Sequence, residues 1–238
     1  RMTFKLRQYD ILHCADFEPL IAASWSKRLR PSQQIVYDAH EYALEKNGIS
    51  AFQRRFVALF EKSLVKRCAA VITVSHGIAA EYQRLYAVPK VHVILNVPFA
   101  SEPYPNNNYL RDRFDIGPDQ LIFLYQGKFL TGRGVGLLID AFKLLQDSKA
   151  VLVFVGSGPL QNEVEAATGD GHVFFHEAVP YKELAKVTAA ADFGIVSVEN
   201  VCLSYYFCMP NKMFEYIQAE LPILTTNLHD CRILVEEQ

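Results

Sequence analysis

Short runs of β-branched and apolar residues alternate along the chain with longer stretches in which apolar positions recur every three or four residues. That is the pattern of parallel strands joined by crossover helices, and it predicts an α/β fold. In the first half, strands are expected near Ile11–Ala15, Ile35–Asp38, Ala70–Val74 and His92–Leu95. In the second half they are expected near Leu121–Tyr125, Val151–Val155, Val173–Phe175, Phe193–Ser197 and Ile223–Thr226, with helices near Leu137–Leu145, Leu160–Ala167, Lys182–Ala190 and Lys212–Ala219. The clearest helical pattern is Phe52–Cys68, where Phe52, Phe56, Phe60 and Leu64 form one apolar stripe. Its other face reads as basic, with Arg54, Arg55, Lys62, Lys66 and Arg67 against Glu61. Such a face is either solvated or set against an anionic membrane or acceptor.

The segment Pro98–Asn108 breaks the alternation with three prolines and three consecutive asparagines, which neither continue a helix nor sit in a central strand. Read as a linker, it divides the chain into a partial N-terminal domain over 1–100 and a C-terminal domain over 101–238. The expected architecture is two Rossmann-like domains, each with a mainly parallel sheet, facing one another across a cleft. Neither sheet is expected to be complete at the chain ends.

Charge sharpens this division. Residues 1–100 carry 14 Lys and Arg against 8 Asp and Glu, a balance of +6, and residues 101–238 carry 10 against 18, or −8. A basic first half suits nucleic acid, a membrane surface or an anionic substrate, and charge alone does not choose among them. With 50% hydrophobic and 12% aromatic residues in 238, the chain is not of disordered composition. The absence of an apolar run of about 18 residues and of a leader pattern gives a cytoplasmic expectation. The five cysteines are scattered without a Cys-x-x-Cys pair, so they read as reduced, packed thiols.

Four segments could carry chemistry. Tyr125–Gly134 follows a strand and precedes a helix, and it combines Gly127, Gly132 and Gly134 with the cations Lys128 and Arg133. Glycines let backbone approach a ligand, and two long cations on one loop can clamp a diphosphate. This is neither a Walker loop nor a Gly-x-Gly-x-x-Gly dinucleotide loop. Val155-Gly-Ser-Gly-Pro159 is a second strand-to-helix turn. Met209–Tyr216 places Pro210 at a helix start, so free amides near Asn211 and Lys212 face an anion, and Glu215 follows one turn later, able to accept from two sugar hydroxyls. His40 stands where the strand Ile35–Asp38 ends, and His13 is placed similarly with a packing role favoured. No Asp-x-Asp and no tight carboxylate cluster occurs, which speaks against a bound divalent cation, so the expected metal ligands are none.

Taken in order, Ile72–Ser75, Gly127-Lys128 through Arg133-Gly134, Val155–Pro159, Phe175–Pro180 with Glu183-Leu184, and Pro210–Tyr216 leading to Pro222–Thr226 resemble the group-1 retaining glycosyltransferases of the GT-B fold. The resemblance implies a UDP- or GDP-sugar donor held by the second domain and a saccharide or lipid-linked acceptor on the first. It implies no cofactor beyond that nucleotide-sugar co-substrate, no metal and no nucleic acid partner. The basic N-terminal half, in line with many members, suggests peripheral contact with the inner membrane face. By motif, Lys128 and Arg133 bind the donor diphosphate, Glu215 holds the ribose, and the Glu177–Ala178 backbone meets the base. Amides near Asn211 and Lys212 face the distal phosphate or sugar, Gly127 and Gly134 flank the two cations on the donor loop, and His40 lies near the donor sugar. Many members carry a second glutamate eight positions before the one matched by Glu215, and here Phe207 stands there. A nucleotide-sugar epimerase of the same architecture, and a truncated or non-catalytic nucleotide-sugar-binding protein, are the alternatives.

Overall fold

The structure, a computed structural model, describes residues 5–99, 104–145 and 149–236. Positions 100–103 of the expected linker lie outside the described residues. All nine expected strands are present: β1 Ile11–Ala15, β2 Gln34–Ala39, β3 Ala70–Thr73, β4 His92–Val93, β5 Leu121–Lys128, β6 Ala150–Ser157, β7 Val173–Glu177, β8 Phe193–Val196 and β9 Ile223–Thr225. They form two parallel sheets, so the chain is α/β with two Rossmann-like parts. By its contacts the chain divides into two compact units. The first comprises residues 1–96, 200–209 and 228–238, and the second 97–199 and 210–227.

The first unit holds the sheet β1-β2-β3-β4. Its β2 alternates strictly, with Ile35, Tyr37 and Ala39 fully buried, as a half-covered strand requires. Four of its helices are α1 Phe17–Leu29, α2 Ala51–Val65, α3 His76–Tyr86 and, from the late segments, α8 Leu203–Tyr206. Helix α2 starts at a capping box in which the Ser50 hydroxyl accepts from the Gln53 amide and the Gln53 side chain accepts from the Ser50 amide.

Here the structure corrects the sequence reading. The face of α2 that packs inward is Val57, Glu61 and Val65, while Phe52 is 80% exposed and Phe56 and Phe60 are 40% and 46% exposed. Spacing of four residues recurs on both faces of this helix, so periodicity alone could not say which is covered. Tertiary partners decide. The hydroxyls of Tyr37 and Tyr82 donate to Glu61 Oε1 at 2.7 and 2.6 Å, and Tyr86 donates to Oε2. A carboxylate with that many donors can be buried where an unpaired one cannot.

The second unit orders its sheet β7-β6-β5-β8-β9, so the chain starts in the middle and reverses direction beside β5. Open α/β sheets hold ligands at the carboxyl ends of strands where this reversal occurs. Strand β6 is buried at six consecutive positions, Val151–Gly156, as expected of a central strand covered on both faces. Helices α4 Tyr109–Phe114, α5 Val135–Lys143, α6 Gln161–Ala166, α7 Tyr181–Thr188 and α9 Asn211–Gln218 flank it, and α10 His229–Glu236 returns to the first unit. Tyr216 fixes α9 against the sheet. Its ring occupies the place where any side chain on Gly194 would lie, and its hydroxyl accepts from the Gln126 amide at 3.1 Å while reaching the Leu124 carbonyl at 3.0 Å.

Candidate functional site

In the second unit the strand register sets Gly127 beside Gly156 and Gly156 beside Glu177, a row across the carboxyl edge of three adjacent strands. Gly156 has no alternative: a Cβ there would come within 1.9 Å of the Gly127 carbonyl oxygen. Lys212, one residue into α9, brings its ammonium over Gly127, about where a Cβ on that glycine would be 3.7 Å from Nζ. The same ammonium lies 3.5 Å from the centre of the Tyr125 ring, whose face favours a cation.

Glu215 sits one turn further along α9. Gln126 donates to its Oε2 at 2.5 Å, and the Thr188 hydroxyl donates to Gln126 Oε1 at 2.9 Å, so the side-chain amide is oriented by a second hydrogen bond. Burial pushes the Glu215 carboxyl above the ordinary range, while the Gln126 hydrogen bond and the Lys212 charge pull the other way. Oε1 carries no hydrogen bond among the described residues. Glu215 also lines a hollow of about 260 Å³ walled by Tyr181, Leu184 and Thr188.

The loop after β5 is tied to the end of β8. The Ser197 hydroxyl donates to the Arg133 carbonyl at 3.0 Å, and the Gly134 amide donates to Glu199 at 3.2 Å. Gly134 has φ +77° and a Cβ there would lie 2.1 Å from the Ser197 carbonyl oxygen, so this close approach demands glycine. Lys128 closes β5 in register with Ser157 and is exposed. Glu177 and Ala178 are exposed at the end of β7, and Asn211 is exposed at the first position of α9.

The structure therefore brings Gly127, Glu177, Lys212 and Glu215 to one edge of the sheet. It places Lys128, Arg133 and Gly134 on the loop that begins there. His40 belongs to the first unit. Its Nε2 lies 3.2 Å from Asp38 Oδ2, the same oxygen that His13 Nε2 reaches at 2.9 Å, and its amide donates to Asp16 Oδ1 at 3.0 Å. Phe207 is a packing residue of that unit: its ring fills the space beside Gly77 and stands edge-on to His229. Among the described residues no group of three His, Cys, Asp or Glu is arranged to hold a metal ion.

Sequence reasoning missed Gln126, Thr188, Ser197 and Asp38, which hold the candidate residues in place. A polar Gln126 between the apolar run Leu121–Tyr125 and Gly127 was the available signal. The partners Thr188 and Ser197 are set by tertiary proximity and leave none.

Residues 1–97 match the family model Glycosyltransferase Family 4, and residues 120–238 match the model Glycosyl transferases group 1. TuaC of Bacillus subtilis (strain 168), named as a teichuronic acid biosynthesis glycosyltransferase, is 24% identical over 201 residues, covering 83% of this chain and 48% of that protein. The lipopolysaccharide 1,2-N-acetylglucosaminetransferase of Salmonella typhimurium is 33% identical over 101 residues, 41% of this chain and 26% of that protein. The chain thus spans about half the length of the first of these relatives and about a quarter of the second. Among solved structures, Anabaena HepE in complex with UDP superposes with a TM-score of 0.73 at 14% identity, over 98% of this chain and 64% of that one. Sucrose-phosphate synthase from Thermosynechococcus elongatus gives 0.71 at 19% identity, over 96% and 58%. At such identities the likeness establishes the fold.

Proposed function

The chain belongs to the glycosyl transferases group 1 family, and from that premise we propose that it serves the transfer of a sugar from a UDP- or GDP-sugar to a saccharide or lipid-linked acceptor, with retention and without a metal. The observation that carries this reading is the placement of the Lys212 ammonium over Gly127 with Glu215 one turn away, at the carboxyl edge of the second unit's sheet. The UDP bound to HepE, a protein of the same fold, supports a nucleoside diphosphate as the ligand class.

In this reading the donor diphosphate lies over Gly127, where the absence of a side chain admits it. Lys212 and the first amides of α9 receive negative charge, with Lys128 and Arg133 supplying further cations. The free Oε1 of Glu215 accepts from the ribose hydroxyls while Gln126 holds the carboxylate still. Backbone at Glu177 and Ala178 meets the base. As the sugar leaves, charge grows on the diphosphate, and fixed donors that need no reorganisation lower the barrier, each by about 3 kcal/mol. His40 is held by Asp38 and Asp16 just past the end of β2 in the first unit.

Membrane contact belongs to the same proposal. Leu59 is 75% exposed and Phe52 80% exposed on α2, Trp25 is 59% exposed on α1, and Arg55, Lys62 and Lys66 lie along the α2 border without ion pairs among the described residues. An apolar ridge with a cationic margin suits an anionic lipid surface. Among the described residues no helix is long and apolar enough to cross a membrane.

The test is calorimetric titration with UDP, GDP and ADP. At least one should bind, and Lys128→Ala, Arg133→Ala and Lys212→Ala should each weaken that binding by about tenfold. Unchanged affinity in all three variants defeats the diphosphate site.

A further inference from the structure

We infer that a pocket of the first unit, between α1, α2 and the 41–49 segment, binds an amphiphile with an uncharged, hydroxyl-bearing head and a hydrocarbon tail. Calling that amphiphile the acceptor rests on the proposed function, whereas its binding does not. The pocket holds about 480 Å³, within the roughly 300–1,000 Å³ common for small-molecule sites.

Its lining joins two chemistries. Apolar walls come from Phe17 and Ile21 on α1, Phe56 and Val57 on α2, and Ala43 and Ile49. Polar groups come from Asp16 and Glu41 past the strand ends, Glu18 on α1, and Lys46 and Asn47. Lys46 is already paired with Glu41 at 2.7 Å, so the polar groups together carry excess negative charge. Such a rim repels a phosphate or carboxylate head and accepts hydrogen bonds from hydroxyls.

Position and shape favour one occupant. Asp16 and Glu41 stand just past the ends of β1 and β2, the edge at which open α/β sheets present ligands. Asp16 holds φ 65° while its Oδ1 binds the His40 amide, so the head would lie beside His40. Among the apolar walls Phe17 meets Phe56 edge-on at 6.2 Å, and Phe60 lies 4.6 Å from Phe56, so the apolar wall continues out of the pocket along α2. Phe52, on the pocket wall, is 80% exposed. A chain longer than the pocket could stay covered along that wall, whereas a sugar alone would leave it wet.

Isothermal titration of the full chain with octyl glucoside and decyl glucoside, both below their micelle-forming concentrations, tests this. Decyl glucoside should bind about tenfold tighter than octyl glucoside, as two added methylenes predict. Glucose should show no binding, and decyl phosphate should bind at least about tenfold more weakly than decyl glucoside because of the acidic rim. Phe52→Ser alters an exposed side chain and should lower decyl glucoside affinity about fivefold. Ala43→Phe should fill the pocket and abolish binding. Equal affinity for the two chain lengths, a preference for decyl phosphate, or an unchanged Phe52→Ser variant overturns the inference. Adding UDP, GDP and ADP in turn to the same samples separates the two readings. A nucleotide response without alkyl glucoside binding removes the pocket assignment alone. Alkyl glucoside binding without any nucleotide response removes the transferase reading and leaves the pocket standing.

Discussion

Two glutamates, one fully buried in the first unit and one half-buried in the second, show how similar carboxyl groups come to different ends. Glu61 is fully enclosed and has three phenolic donors from Tyr37, Tyr82 and Tyr86, so both its oxygens are engaged. Among the described residues Glu215 has one side-chain donor, Gln126, and keeps one oxygen open beside a lysine. Burial raises both above the ordinary carboxylate range, and in both cases hydrogen bonds oppose the shift. The difference is completeness. A carboxylate whose acceptor capacity is filled within the protein organises a core, and one left half-filled at a sheet's carboxyl edge is available to a ligand.

Substitution should separate them most sharply. Glu61→Ala strands three buried hydroxyls and should lower the unfolding free energy by about 3 kcal/mol or more in urea titrations. Glu215→Ala should cost little stability yet weaken UDP or GDP binding by about 30-fold in calorimetry, the loss of hydrogen bonds to a charged acceptor. If Glu215→Ala unfolds the protein as readily as Glu61→Ala, the contrast fails. Acidity offers a third test. Because the folded state holds the Glu61 proton more tightly than the unfolded chain, its contribution to stability is full below the ordinary value of 4.5 and is lost as pH rises through the raised folded value. Glu61→Gln should remove that slope from a pH series of melting curves. Nucleotide affinity should run the other way, falling as pH drops through the raised value of Glu215, since ribose hydroxyls bond best to the ionised form. The smallest effect is local: Ser50→Ala breaks the capping box of α2 and should cost about 1 kcal/mol without touching nucleotide binding.

Strands were legible because their signal is local. Runs such as Val151–Val155 stand out from any neighbourhood, and every expected strand has its counterpart. The orientation of α2 was not legible. Phe52, Phe56 and Phe60 make the stronger apolar pattern, but the partners of Glu61 come from positions 37, 82 and 86, and only the folded chain gathers them. The candidate site divides the same way. Gly127, Lys212 and Glu215 were readable as residue types at the ends of predicted elements. Gln126 and Thr188, which aim Glu215, act through a contact spanning 62 residues that no local pattern announces.

The first unit is sewn together from distant pieces. Asp230, 1% exposed on α10, accepts from the amides of His76 and Gly77 at 2.8 and 3.1 Å and so completes the start of α3. During synthesis α3 therefore waits, its opening amides turned to water, until more than 150 further residues have been made. A ribosome pausing before that point would expose a half-finished unit to chaperones, and an expression clone stopped near residue 97 would carry the same defect permanently.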